Sequence, residues 1–216
     1  MRIAPEGWPF IAIAWLLVGA AAYLANRWGA LWWMVPGVLG VVAIWVVAFF
    51  RDPIRPGPRG ERYVLAAAEG HVVHVTEIDE PMYMKERSIR VSIFLSVFDV
   101  HVNRYPIGGT VELVQYNKGK FLHAGSEKAS LDNEQASVGI RGPRGRVLVR
   151  QIAGLIARRI VTDSKSGDSV IQGGRMGLIR FGSRTDVFLP LSARPVLKVK
   201  LGDRVRVGAT VLAEYP

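Results

Sequence analysis

A chain of 216 residues, half of them hydrophobic, can bury one good-sized core. It has no cysteine, which excludes disulfides, cysteine zinc sites and thiol nucleophiles together. The formal charge of +10 suits an acidic partner or an anionic lipid surface, and helix-turn-helix, zinc-finger and RNA-binding signatures are missing, which argues against nucleic acid.

The apolar residues are concentrated at the start. Residues 8–25 and 31–50 are almost wholly apolar, and each is about long enough to cross a hydrocarbon core as a helix. Asn26-Arg27-Trp28-Gly29 reads as a tight polar turn between them. Trp8, Trp28, Trp32 and Trp33 sit at the edges, as in an interfacial belt, and Pro36 and Gly37 are tolerated in a membrane helix. A secretory signal fits poorly, because no small-residue cleavage site precedes a polar start and a second apolar run follows at once. The expectation is a transmembrane helical hairpin over residues 1–50; the alternative is a buried hairpin of a soluble fold. Residues 51–62, RDPIRPGPRGER, break the helix and form a basic Pro/Gly linker. Arg51, Arg55, Arg59 and Arg62 favour the cytoplasmic side of the cell's inner (plasma) membrane for both termini.

From residue 63 to 216 the pattern is mostly β. Residues 63–65, 71–75, 88–95, 109–114 and 146–151 alternate or are β-branched, with glycines and prolines between them. This spacing points to a barrel or sandwich; residues 153–161 read equally as strand or short helix. Residues 68–73 and 199–213 look like the two halves of a barrel-sandwich hybrid, the fold of lipoyl and biotinyl carriers. That is a hint of fold and not of chemistry, since Met82-Tyr83-Met84-Lys85 lies outside a carrier-lysine hairpin. Dinucleotide, Walker and HExxH patterns are missing too.

The histidines are His71, His74, His101 and His123. On a regular strand His71 and His74, three positions apart, point to opposite faces, which speaks against a metal pair. His101 lies in SVFDVHVNRYPIGG, residues 96–109, and can both take and give a proton near neutrality. Gly182-Ser183 lies in GGRMGLIRFGSRTDVFLP, residues 173–190. A Gly-Ser pair alone is an ordinary turn. It also permits chemistry. Gly182 leaves its carbonyl open and tolerates strained angles, so the Ser183 hydroxyl can attack it and move the acyl group from nitrogen to oxygen. Elimination across Cα–Cβ then leaves dehydroalanine, which hydrolyses to a pyruvoyl group and ammonia. The attack needs a base and donors for the oxyanion.

These two segments together resemble the phosphatidylserine decarboxylases in their short bacterial and archaeal form. The resemblance covers most of residues 51–216 and includes Tyr116-Asn117-Lys118-Gly119-Lys120-Phe121 and Asp132-Asn133-Glu134. It implies that the chain cuts itself between Gly182 and Ser183, that Ser183 becomes a covalent pyruvoyl cofactor, and that large and small chains stay together. It implies a catalytic His101 and no metal; either His101 serves both cutting and decarboxylation, or cutting leans more on backbone strain. Long-form relatives carry a second histidine where this chain has Arg104; an arginine there suits a substrate phosphate or carboxylate, as does Arg180. The family's Ser-Pro-Ala-Asp-Gly is here Ala66-Ala67-Ala68-Glu69-Gly70, so Glu69 stands where an aspartate would orient the base. The implied activity converts phosphatidylserine in an anionic membrane to phosphatidylethanolamine and carbon dioxide, with the catalytic domain on the cytoplasmic side. The hairpin and barrel pattern alone would also suit a non-enzymatic membrane adaptor, and an archaeal-type ether lipid could replace the diacyl substrate. Oligomeric state stays open.

Overall fold

The computed structural model describes residues 2–120, 132–154, 159–180 and 182–216. His123 and Phe121 of the motifs above lie outside them. The chain forms two compact units, Met1–Ile54 and Arg55–Pro216.

In the first unit, strand β1 (Arg2–Ile3) precedes helices α1 (Trp8–Trp28) and α2 (Met34–Phe49), and β2 (Arg51–Asp52) follows them. The helices pack as a hairpin. β1 pairs antiparallel with β2, so the hairpin's two ends are tied together. Phe10 stacks on Phe50 at 5.4 Å, and Gly7 passes so close that an added Cβ would lie 2.5 Å from the Phe50 side chain. The turn differs from the expected one. Asn26 and Arg27 remain helical, and Gly29 at φ +106° ends α1, its N–H bonding the Ala25 carbonyl at 3.0 Å. A glycine adopts that angle without a Cβ clash, so it sets the stop where polarity alone would have put it earlier. Residues 5–28 and 30–49 have mean hydropathy 1.8 and 2.1, long and apolar enough to cross a bilayer by length and composition. Their outer faces leave Leu16, Leu31, Val38 and Ile44 exposed, far more apolar surface than a soluble domain usually shows.

The second unit is mostly β. Its strands are β3 (Tyr63–Leu65), β4 (Gly70–Glu80), β5 (Glu86–Leu95), β6 (Val102–Arg104), β7 (Gly109–Asn117), β8 (Gln135–Gly142), β9 (Gly145–Ala153) and β10 (Arg159–Thr162). Then come β11 (Ser169–Val170), β12 (Arg175–Arg180), β13 (Ser183–Pro190), β14 (Val196–Leu197), β15 (Arg204–Val205) and β16 (Val211–Glu214). Of residues 153–161, which read equally as strand or helix, Ala153 and residues 159–161 are strand. Eight strands form a curled antiparallel half-barrel in the order β11-β7-β8-β9-β13-β5-β4-β15. Two three-stranded sheets, β10-β12-β6 and β14-β16-β3, complete the unit. The segments around residues 68–73 and 199–213 are neighbours, with Arg204 opposite His71 and Val205 opposite Gly70.

β13 lies between β5 and β9, and every one of its residues is buried. Val187 and Leu189 join Val91, Ile93, Val147 and Val149 in the main core. Each such side chain contributes roughly 1.5–3 kcal/mol by leaving water. The other face carries Phe188 with Leu148, Tyr83 and Met84. β4 holds a correction. A bulge between Val72 and His74 pairs His71 with Phe94 and His74 with Ser92. Phe94 and Ser92 are two apart and share a face, so His71 and His74 do as well. The bulge absorbs the odd residue. No cluster of metal-ligating side chains occurs among the described residues.

Candidate active site

The Gly182–Ser183 bond lies where the chain changes sheets. β12 belongs to the small sheet and ends at Arg180; β13 starts at Ser183 in the half-barrel. Gly182 makes the corner at φ +63°, in the left-handed region that costs other residues energy. An added Cβ would meet nothing within 4 Å there, so the glycine answers to backbone angle and not to space. Ser183 then enters register between Leu95 and Ala153.

The same small sheet delivers His101. β6 pairs with β12 through Val102 and Leu178, and Ile179 N–H reaches the His101 carbonyl at 3.4 Å. The His101 ring therefore stands over the corner that follows. It is fully buried. Its Nδ1 lies 3.0 Å from the Asp99 carbonyl and its Nε2 lies 3.3 Å from the Gly182 N–H. A carbonyl can only accept, so Nδ1 carries the proton and the Nε2 lone pair accepts the Gly182 N–H. Asp99 is fixed in a tight turn, its Oδ2 accepting from Ser96 N–H at 2.9 Å and Ser96 Oγ at 2.7 Å.

Ser183 is fully buried, and its Oγ has no hydrogen-bond partner among the described residues. An orphaned buried hydroxyl costs about 1–3 kcal/mol; Ser92 Oγ is orphaned too, so what marks Ser183 is its place directly after Gly182. Two positions along the same face, Thr185 Oγ1 accepts from Asn103 Nδ2 at 3.3 Å, and Gln151 Nε2 donates to Asn103 Oδ1 at 2.8 Å. Asn103 also donates to the Ala67 carbonyl at 3.3 Å. These buried amides make a polar floor beside Ser183 that sequence reasoning missed. Asn103 stood inside the histidine motif as its only hint.

Glu69 is 5% exposed, one residue before β4, and its carboxylate forms an ion pair with Arg55. Gly70 lies against Phe94 and Leu95, and Leu95 is the partner of Ser183, so Glu69 sits at the same end of the sheet as the Gly182–Ser183 bond. Arg104 donates from Nη1 to the Gly173 carbonyl at 3.0 Å and packs over Gly208. Arg180 ends β12 opposite Arg159. The structure thus brings His101, Gly182 and Ser183 together; Glu69 and the two arginines have neighbours of their own. A second feature was also missed. Arg184 and Asp186 are fully buried and paired twice, Nε to Oδ1 at 2.9 Å and Nη2 to Oδ2 at 3.1 Å. Their i, i+2 spacing places them on one face of β13, opposite Ser183.

A buried histidine thus meets the N–H of a left-handed glycine, and the serine that follows has an unpartnered hydroxyl. Comparison with known proteins gives the family. A family model described as phosphatidylserine decarboxylase matches residues 42–213. The "Phosphatidylserine decarboxylase proenzyme" of Cupriavidus pinatubonensis is 44% identical over 214 residues, covering 98% of this chain and 94% of that one. Its namesake in Symbiobacterium thermophilum is 46% identical over 215 residues, covering 99% and 96%. The chain belongs to the phosphatidylserine decarboxylase family.

Proposed function

We propose that this chain is a proenzyme that cuts itself at Gly182–Ser183 and then decarboxylates phosphatidylserine to phosphatidylethanolamine in phospholipid synthesis. The observation that carries the reading is the fully buried Ser183, its hydroxyl unpartnered, next in the chain to the Gly182 whose N–H meets His101 Nε2, inside a family match that spans nearly the whole chain. That hydroxyl, without a partner among the described residues, fits a pyruvoyl precursor. The group formed from Ser183 would supply an electrophilic carbonyl that condenses with the substrate amine and takes up the electrons of the breaking carbon–carboxylate bond.

The chain's own residues do the rest. His101 Nε2 is held as an acceptor by the Asp99 carbonyl on the other ring nitrogen, so it receives the Ser183 proton during cutting. It later returns a proton to the substrate carbon. Gly182 supplies the left-handed corner that opens its carbonyl to Oγ. Arg180, close before the bond in sequence, and Arg104 are candidates for the substrate's anionic groups. The test is direct. The cut protein, given phosphatidylserine in mixed micelles, should release carbon dioxide and yield phosphatidylethanolamine; a cut protein that leaves the lipid unchanged would sink the reading.

Glu69 is proposed as the carboxylate that favours the charged form of His101 during cutting. Glu69→Gln keeps size and loses charge. It should slow cutting by about tenfold or more, on the scale of one charged hydrogen bond, while lipid turnover by the cut fraction changes less. Gels at timed intervals read the first rate; wild-type cutting in Glu69→Gln would make Glu69 a bystander.

The two apolar helices are proposed to span the inner membrane as a hairpin, with the catalytic unit on the cytoplasmic side, where Arg51, Arg55, Arg59 and Arg62 would lie. The β unit is proposed as a barrel-sandwich-like domain, on the pairing of β15 with β4. Carbonate extraction at high pH should leave the protein in the membrane pellet. Complete release into the supernatant would mean that the helices do not span.

A further inference from the structure

Next to Glu69 lies an open cavity of about 500 Å³, lined by Arg55, Pro56, Glu69, Arg204, Arg206 and Ala209. It is built by segments far apart in sequence. Arg55 comes from the linker, Glu69 precedes β4, and Arg204 and Arg206 come from the β15 hairpin. The Arg55 guanidinium is engaged by Glu69. Arg204 reaches Asp99 Oδ1 only at 3.4 Å, with two thirds of its side chain exposed. The Arg206 side chain has no hydrogen-bond or ion-pair partner among the described residues; only its backbone is bonded, to Thr210 Oγ1 at 2.9 Å. Two of the three guanidinium groups have carboxylate partners, Arg55 with Glu69 and Arg204 with Asp99, so one positive charge in this cavity, that of Arg206, is left unmatched.

The cavity connects to the chemistry through a short chain of contacts. Arg204 touches Asp99, the Asp99 carbonyl holds His101, and His101 meets the Gly182 N–H. A group bound among these arginines is linked to the histidine through Arg204 and Asp99 without occupying its place. From this we infer that the Arg55–Glu69–Arg204–Arg206 cavity seats the phosphodiester of the substrate's head group, with Arg206 as its uncommitted anchor. The surplus positive charge of Arg206 matches the single negative charge of a phosphodiester. Guanidinium groups grip such oxygens with paired hydrogen bonds. The inference rests on the decarboxylase reading and assigns the phosphate to arginines other than Arg104 and Arg180.

Binding can be read without the mature cofactor. The full-length Ser183→Ala chain, uncut in detergent, is titrated calorimetrically with glycerophosphoserine. Saturable binding is expected, and adding Arg206→Gln should weaken it roughly tenfold to a hundredfold, the scale of a lost charge-assisted contact. Arg206→Lys keeps the charge but not the fork, and should fall between the two. Inorganic phosphate should bind more weakly than glycerophosphoserine. In the cuttable chain, Arg206→Gln should raise KM for phosphatidylserine by a similar factor and leave kcat on the cut fraction nearly unchanged. Unaltered glycerophosphoserine affinity in the Arg206→Gln chain overturns the assignment, and so does equal binding of inorganic phosphate, which would make this a free-phosphate site. A cut wild type that binds glycerophosphoserine but makes no phosphatidylethanolamine would instead overturn the decarboxylase reading.

Discussion

Replacing His101 with alanine should slow the cutting of Gly182–Ser183 by roughly 10²–10⁴-fold, the usual contribution of a positioned general base. The expectation comes from geometry. His101 is buried, its Nδ1 is committed to the Asp99 carbonyl, and its Nε2 lone pair lies 3.3 Å from the Gly182 nitrogen. No second histidine stands at position 104 to substitute, since that residue is arginine and its guanidinium is bonded to Gly173. Lipid turnover should fall too, because the same nitrogen would return a proton to the substrate carbon. The two effects are separated by following cutting on gels and normalising carbon dioxide release to the cut fraction. If His101→Ala chains, once cut, decarboxylate at the wild-type rate, the proton donor lies elsewhere. His71 and His74, which the β4 bulge places on one face, would be examined next.

Replacing Ser183 with alanine should abolish cutting altogether, because no hydroxyl remains to attack the Gly182 carbonyl. It should do so without unfolding the protein. The Ser183 Oγ is buried without a partner, so deleting it removes an unsatisfied polar group worth about 1–3 kcal/mol and leaves only a small void. The melting temperature should therefore stay level or rise. That pairing matters, since a variant that was uncut and also less stable could owe the first effect to the second. A Ser183→Ala chain that still divides at this bond would show that another nucleophile, or a protease, makes the cut.

Much of this arrangement was legible in the sequence because its signals are local. The apolar runs, the alternating strands and the two motifs holding His101 and Ser183 each announce themselves within a few residues. Their meeting was not local, and only the resemblance to a family linked them; the structure supplies the cause, which is the pairing of β6 with β12 just before the corner at Gly182. Features that depend on tertiary context were hidden. Arg184 and Asp186 read as an ordinary polar alternation, yet both are fully buried and satisfy each other. Strict two-residue periodicity put His71 and His74 on opposite faces, and a single bulge residue reversed that. Asn26 and Arg27 looked like turn residues, but the helix continues until Gly29 permits a positive φ. Arg204 and Arg206 carried no signal, since only folding brings the C-terminal hairpin beside Glu69. The three alanines before Glu69 are fully buried, with the Ala67 carbonyl receiving both Arg104 N–H and Asn103 Nδ2, which gives small residues there a packing reason.

The central claim is that the backbone of this chain opens at Gly182–Ser183 and that Ser183 loses its nitrogen in the process. Intact mass spectrometry of the purified wild-type protein tests it most directly. Two species are expected, residues 1–182 and 183–216, the small one lighter by one ammonia than the same fragment with a serine terminus and resistant to Edman sequencing. A single mass for the uncut chain in a preparation that decarboxylates phosphatidylserine would contradict the account, as would a small fragment that begins with an ordinary serine.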